Sequence, residues 1–199
     1  MTKRILLIVF ILFFYSCKEQ KALDIFDLNC PKIYTDQEYK HYDNKFSISI
    51  PRSWCNNSKK PIEDSSIVNV LFVNDSIDDV TNDRKLIRLH LIGITSYMSK
   101  EQDLEQEYKK SVNEFTNEFK KVKILSKGST NFLKYDSYFI EYTENTTEGD
   151  FYSITFLLQS DYDKNEYFIL NSTFTGFYEP KYEICQHENI LKSFQFEKK

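Results

Sequence analysis

The stretch that decides the fold is residues 151–175, FYSITFLLQSDYDKNEYFILNSTFT. Its two runs, residues 151–160 and 166–175, are rich in the aromatic and β-branched residues that favour extended strands. The polar segment between them, DYDKN at 161–165, is typical of a tight turn. Strands joined by so short a link pair antiparallel, so the stretch predicts a long hairpin inside a β-sheet.

Further strands are predicted before this hairpin. Residues 132–144 form a run of the same kind and meet the hairpin across a turn that contains Gly149. Shorter strands are predicted at residues 46–50, 67–73 and 86–94, which are rich in apolar residues. The chain is therefore expected to build an extended antiparallel sheet.

One mid-chain helix is expected to cover this sheet. From Leu104 to Phe119, apolar residues recur every three or four positions and form a single stripe. A capping-box pattern, Ser99 with Gln102, is expected to start the helix. The lysine-rich segment 120–123 follows, where positive charge favours a helix C-terminus.

A second helix is expected near the end of the chain. Pro180 suits a first helical position, and the helix is expected to run to about residue 192. A strand-rich chain with one mid-chain and one C-terminal helix predicts the α+β class, a central antiparallel β-sheet with packed α-helices.

The first 17 residues have a different character. Lys3 and Arg4 precede an apolar run of eleven residues, 5–15, and Ser16 then precedes Cys17. The run is shorter than the roughly 20 residues that span a bilayer, and it has the length of a signal-peptide core. The arrangement resembles the start of bacterial lipoproteins, which implies cleavage after residue 16 and a diacylglyceryl group on Cys17.

The lipoprotein resemblance also implies a location. No aspartate follows Cys17, and aspartate there is associated with retention in the inner membrane. The segment KEQK at residues 18–21 is similar to a short surface-export tag. We therefore expect anchoring in the outer membrane, facing the periplasm or the cell surface, with residues 17–38 as a tether and residues 39–199 as the folded domain.

Composition excludes several classes of function. Without residues 1–16 the chain has 24 Lys and Arg against 30 Asp and Glu, a net charge of −6. Neither a nucleic-acid partner nor attraction to anionic lipid is expected from that balance. The whole chain holds four glycines, far apart, so no glycine-rich phosphate-binding loop can form. We expect no cofactor.

Three cysteines remain in the folded domain and its tether: Cys30, Cys55 and Cys185. An oxidising envelope permits one disulfide among them and leaves one thiol. The alternatives are Cys30 with Cys55, which closes a short loop, and Cys55 with Cys185. A bridge that includes Cys55 is favoured because Cys55 follows Trp54 in a predicted loop.

A family resemblance covers roughly residues 39–196. The run YDNKFSISIPRSW at residues 42–54 resembles the opening of PsbP-like domains, and ILKSF at 190–194 is similar to their closing helix. The resemblance implies a PsbP-like sandwich, with a central antiparallel sheet between helices. Members of the family serve as extrinsic photosystem subunits, adaptors, chaperone-like factors and uncharacterised lipoproteins, and none supplies a catalytic residue set that could be transferred here.

Alternation along the strands places polar residues together on one predicted face. Arg88, His90, Glu141 and Asn171 are expected to share the side opposite the apolar core. Such a group could line a groove for a small ligand or peptide. The alternative is a half-solvated sheet face held by cross-strand ion pairs.

Metal and nucleophilic sites find no support. His187-Glu188 begins like a zinc-protease motif, but Leu191 stands where the second histidine would be. An acidic segment at residues 74–83 has Arg84 where a calcium loop would turn on glycine. No serine lies in a nucleophile-elbow motif. We therefore expect no metal and no catalytic residue, and an enzyme is not the favoured interpretation.

The sequence favours a non-catalytic envelope lipoprotein that binds another protein or a small ligand. One alternative is an immunity or adaptor protein that sequesters a toxin or effector. Another is a ligand carrier or enzyme that uses the face with Arg88, His90 and Glu141.

Overall fold

The computed structural model describes residues 30, 35, 37–41, 43, 45–56, 68–78, 86–146, 149–175 and 180–197. Backbone alone is described at residues 68–69, 75–78, 86–88, 146, 149–150 and 180–183. Within these ranges lie strands and helices with the following bounds: β1 Gln37–Lys40, β2 Phe46–Ile50, β3 Cys55–Asn56, β4 Val68–Asp78, β5 Leu86–Met98, α1 Leu104–Glu118, β6 Val122–Thr130, β7 Ser137–Thr146, β8 Gly149–Gln159, β9 Glu166–Thr175, α2 Pro180–Lys192 and β10 Gln195–Phe196.

The strands form two antiparallel sheets. The larger sheet has seven strands in the order β3-β4-β5-β9-β8-β7-β6, and the smaller has three in the order β1-β2-β10. The predicted hairpin is confirmed as β8 and β9, whose register runs from Phe151 opposite Thr175 to Gln159 opposite Tyr167. Together with the two helices of the described residues, these sheets confirm the α+β class.

The core lies between the two sheets. Phe46 on β2 packs against Phe168 on β9, with ring centroids 6.0 Å apart, and against Phe194 at 5.5 Å. Ile48 and Ile50 are buried beside Phe46, as the alternation of this strand predicted. We call the side of the large sheet that meets the small sheet and α2 the inner face.

Helix α1 packs on the opposite side of the large sheet, which we call the outer face. Tyr108 stacks on Tyr138 of β7 at 4.6 Å, and Phe115 meets Tyr142 at 4.8 Å. The Tyr108 hydroxyl donates to the backbone carbonyl of Phe139. The predicted apolar stripe of α1 is thus confirmed, and it packs against the outer face of β7 and β8.

The predicted start of α1 is wrong by several residues. Asp103 is the N-cap, and its side chain accepts a hydrogen bond from the backbone N–H of Gln106 at 3.0 Å. The Ser99 hydroxyl instead donates to the buried carboxylate of Glu107, 2.8 Å away. The helix ends at Glu118, so the lysines after it belong to the turn and to β6, a strand that the sequence did not predict.

Alternation was assigned with the wrong parity on two strands. On β5 the inner face carries His90, Ile92 and Ile94, because His90 lies opposite Phe174 of β9. On β7 the inner face carries Phe139 and Glu141. On both strands apolar residues stand at even and at odd positions, as Leu91 and Ile92 do on β5 and Phe139 and Ile140 do on β7. Alternation alone therefore could not separate the two faces.

The disulfide differs from the favoured alternative. Cys30 is bonded to Cys185 of α2 across 155 residues, with their Cα atoms 5.1 Å apart. Cys55 lies on the exposed edge strand β3 as a free thiol. The expected bridge through Cys55 is therefore wrong, and the bridge ties the predicted tether to the C-terminal helix.

The predicted signal peptide and Cys17 lie outside the described residues, as do most of the predicted tether and residues 79–83 of the acidic segment. Residues 74–78 of that segment belong to β4. Strand β1 begins at Gln37, two residues before the predicted domain boundary. Among the helices that the structure does describe, none has the length and apolar character of a membrane span.

The disulfide should stabilise the fold while the free thiol should not. We expect Cys30→Ser to lower the free energy of unfolding by about 2–5 kcal/mol, because a bridge over a long loop restricts the unfolded chain. Cys55→Ser is the matched control and should leave it unchanged, since Cys55 is exposed. Urea denaturation under non-reducing conditions measures both, and a large loss for Cys55→Ser alone would contradict this pairing.

Candidate functional site

The structure separates the four residues predicted to line a ligand site. His90 and Glu141 lie on the inner face and are 5% and 1% exposed. Strands β9 and β8 lie between β5 and β7, so the backbones at these two residues are about 14 Å apart or more. Arg88 shares the parity of His90, but its side chain is outside the described atoms. The predicted convergence of these side chains is not observed.

Asn171 lies on the outer face, apart from His90 and Glu141. Its amide Nδ2 donates to Thr155 Oγ1 at 2.8 Å, and its Oδ1 accepts from Thr173 Oγ1 at 2.9 Å. Thr173 also bonds Ser153 across the strands at 2.8 Å. This ladder of neutral hydrogen bonds fits the alternative of a half-buried sheet face, with hydroxyl and amide pairs in place of ion pairs.

The inner face holds a polar group that the sequence did not predict, which we call the histidine cluster: His90, His187, Ser172 and Trp54. His187 Nδ1 lies 2.7 Å from Ser172 Oγ on β9. On its other side, His187 Nε2 lies 3.0 Å from His90 Nδ1 on β5. The cluster therefore connects α2 to two strands of the large sheet.

Helix α2 delivers His187 to this position. His187 and Ser172 are fully buried, and Phe174 packs against the His187 ring at 5.2 Å. Cys185 lies two residues earlier, so the disulfide and the cluster fix the same part of α2. Trp54 closes the cluster from the turn after β2, with its ring 5.3 Å from His187 and edge-on to it.

Burial lowers the pKa of His187 well below its ordinary value of 6.5, and the neighbouring His90 lowers it further. His187 is therefore neutral at pH 7. A neutral imidazole has one donor and one acceptor nitrogen. One ring nitrogen of His187 thus donates while the other accepts, which matches its two partners on opposite sides.

The hydrogen bonds that run from Ser172 through His187 to His90 resemble those between a catalytic nucleophile and its general base. A nucleophile must also meet a substrate, and Ser172 is 0% exposed beneath α2. The lowered pKa further disfavours proton uptake by His187. The arrangement therefore orients α2 on the sheet, and we assign it a packing role.

Trp54 carries an unusual polar atom. Its indole Nε1 is buried, and among the described residues it has no hydrogen-bond partner. Leaving such a donor unsatisfied costs about 1–3 kcal/mol. The ring meets both histidines, and its backbone N–H is held by the Pro51 carbonyl at 3.0 Å. The aromatic contacts offset part of this cost.

The pairing of His90 with His187 had no local signal in the sequence, because the residues are 97 positions apart. A correct parity for β5 would have placed His90 in the core. The expectation of no metal site stays a prediction. Within the described residues, no three His, Cys, Asp or Glu side chains are grouped as a metal site would require.

The free energy of unfolding should decrease as the pH is lowered, because the folded state holds His187 neutral. The unfolded chain takes up this proton near pH 6.5, so the stabilisation is present above that pH and lost below it. We expect a loss of up to about 2 kcal/mol from this residue between pH 7 and pH 5. Urea midpoints measured across this range test it.

His187→Gln should flatten that pH dependence while lowering stability at pH 7. The matched control is His41→Gln, since burial also lowers the pKa of His41, at a position away from the cluster. His41→Gln should remove only the part of the pH dependence of stability that His41 itself contributes. An unchanged slope in His187→Gln would show that His187 is not held neutral.

Comparison with known proteins gives the fold and leaves the family open. No protein-family model matches the chain, and no curated protein matches it in sequence. A solved structure of a Mog1 point mutant is similar to it with a TM-score of 0.50 and 10% identity, over 80% of this chain and 95% of that one. At this identity the similarity shows a shared fold alone.

Other solved structures are similar at lower scores. Saccharomyces cerevisiae Mog1p, a Ran-binding protein, has a TM-score of 0.49 at 10% identity, covering 80% of this chain and 94% of that one. Mycobacterium tuberculosis LpqN, involved in cell envelope biogenesis, has 0.48 at 11% identity, covering 92% and 100%. A Bacteroides thetaiotaomicron structure has 0.47 at 14% identity; the match covers 83% of this chain and only half of that one. The match to the Mog1 point mutant, at a TM-score of 0.50, gives the chain the Mog1 fold, in agreement with its α+β architecture.

Proposed function

We propose that this chain is an exported, lipid-anchored binding protein of the cell envelope, with a PsbP-like domain and no catalytic site. The proposal joins the lipoprotein-like N-terminus, with Cys17 as the lipid attachment site, to the fold and its disulfide. Its site of action is the outer membrane, on the periplasmic side or at the cell surface.

The disulfide between Cys30 and Cys185 carries the proposal. Structural disulfides persist in oxidising compartments and are rare in the cytosol. A signal peptide would deliver the chain to such a compartment. Two independent features, one at the N-terminus and one in the folded domain, thus support export.

The disulfide also limits how far the domain can move from a membrane. Cys30, where the predicted tether is joined to α2, follows Cys17 by thirteen positions. A chain of that length spans at most about 45 Å when fully extended. The free tether is therefore shorter than the 17–38 segment expected from sequence, and the domain would work close to the bilayer.

The positions of the polar residues in the fold favour a binding function over a catalytic one. The alternative of a carrier or enzyme on a face with Arg88, His90 and Glu141 needs them to line one accessible groove. His90 and Glu141 are instead buried on the inner face, on strands that β9 and β8 separate. The histidine cluster is enclosed as well, so neither group offers a substrate a path.

The immunity or adaptor hypothesis is a narrower form of this proposal. It differs only in the identity of the partner, a toxin or effector in place of another envelope protein. Both forms require a stoichiometric protein complex at the membrane.

Lipid attachment is tested by labelled palmitate. We expect cells that express the wild type to incorporate the label into this protein, and cells that express Cys17→Ala to show none, because the thiol is the attachment point. Cys55→Ser is the matched control, since Cys55 is exposed and should not affect labelling. Equal labelling of wild type and Cys17→Ala would overturn the anchoring.

Partner binding is tested by crosslinking in intact cells followed by purification from the membrane fraction. We expect one envelope protein to be recovered in stoichiometric amount with the wild type, and less of it with Cys17→Ala because the domain is no longer held near the membrane. If the purified protein instead turns over an envelope substrate, and one side-chain substitution abolishes that turnover, the non-catalytic proposal fails.

A further inference from the structure

The strand β6, Val122–Thr130, is one edge of the seven-stranded sheet. It pairs with β7 on one side, and within the described residues no strand pairs with its other side. Every second backbone N–H and C=O group of such an edge points away from the sheet. The outer side of β6 therefore presents backbone groups able to bond a further strand.

Lysines are concentrated along this edge. Lys120 and Lys121 lead into the strand, while Lys123 and Lys127 lie within it, and all four are exposed. Segment 119–135 contains no acidic residue, although the chain as a whole has a net charge of −4. None of these four lysines makes an ion pair among the described residues, whereas Lys109 and Lys110 on α1 pair with glutamates.

Two large apolar side chains stand among these lysines. Phe119, the C-cap of α1, is 45% exposed, and Leu125 is 46% exposed. The register of β6 against β7 shifts between Ile124 and Ser126, so Leu125 is the extra residue of a β-bulge. We call the strand and these side chains the β6 edge: residues 119–130 with their exposed backbone.

Lysines and a bulge are the features by which edge strands avoid pairing with their own kind. Two copies of the β6 edge would bring lysine against lysine, which is unfavourable. A strand that carries glutamate or aspartate would instead meet lysines that make no ion pair among the described residues. Because of the bulge, Lys123 lies opposite Thr143 and Lys127 opposite Ile140, so these two lysines are on different faces of the sheet. The charge of this edge thus selects against a second copy and in favour of an acidic segment.

We propose that the β6 edge is the surface that binds a partner protein, by accepting an extended acidic segment of that partner as an added strand. This rests on the proposed binding function and supplies its surface. Backbone hydrogen bonds to β6 would provide the affinity, and the lysines with Phe119 and Leu125 would select the sequence.

An anionic lipid surface is the competing occupant for a basic surface with exposed apolar residues. The added strand is favoured because β6 offers a row of backbone donors and acceptors, which a lipid surface would not bond in register. The acidic balance of the whole chain also opposes attraction to anionic lipid.

The test uses the full mature protein and a fluorescent peptide, Thr-Glu-Val-Glu-Val-Glu-Thr, as the probe. One control peptide has proline in place of both valines, because proline cannot donate backbone hydrogen bonds to a strand. A second has lysine in place of glutamate. Fluorescence anisotropy gives the affinity, and hydrogen exchange locates the protected amides.

We expect the acidic peptide to bind and to slow hydrogen exchange in residues 119–130. The proline and lysine peptides should bind at least about tenfold more weakly. The variant Lys123→Glu with Lys127→Glu should weaken binding by about the same factor. Lys100→Glu with Lys164→Glu is the matched control, because it changes the charge equally at exposed lysines on another part of the surface.

Equal binding of the acidic and proline peptides would overturn the proposal, because it would show charge attraction without strand addition. Protection of residues 119–130 only on phosphatidylglycerol vesicles, and never with the peptide, would also overturn it. If crosslinking recovers a partner whose yield Lys123→Glu with Lys127→Glu does not reduce, the binding function stands and this surface is wrong.

Discussion

The packing of aromatic side chains between the two sheets is the interaction on which the rest of the structure depends. Phe46 of the small sheet meets Phe168 of the large sheet. Phe194 packs on both of these rings, and Phe196 of β10 packs on Phe168. Burying one such ring stabilises the fold by about 1.5–3 kcal/mol. The contact joins residues far apart in sequence, so it holds the small sheet, α2 and the chain end in one place.

The same contact explains where the polar residues go. Because α2 is held against the inner face, His187 has to be buried with it, and a buried imidazole needs partners for both ring nitrogens. Ser172 and His90 supply them from two adjacent strands. The polar cluster is therefore a consequence of the packing, and it fixes the position of α2 in a way that apolar contacts alone would not.

Local patterns were enough to predict most elements of this fold. Strand β9 and helix α2 match the predicted bounds, and β8 differs by one or two residues at each end. These elements carry strong composition signals and clear turns. Strand β6 was missed because lysines, Gly128 and a bulge interrupt its alternation. The assignment of faces failed on β5 and β7 for a different reason, because apolar residues stand at both even and odd positions of these strands.

The candidate site was not predicted correctly because its position depends on which face each strand turns to the core. Correct bounds for the strands do not settle that. One wrong parity moves every side chain of a strand to the opposite face, so His90 and Glu141 changed from surface ligands to buried groups. The disulfide has the same character, because Cys30 and Cys185 meet only when α2 is docked. The acid-free segment 120–127 is visible in the sequence, but its lysines were assigned to the C-terminus of α1 and not to a strand edge. In the fold these lysines lie on the edge strand β6 and just before it. Charge and the bulge are both features that limit which strands can pair with such an edge.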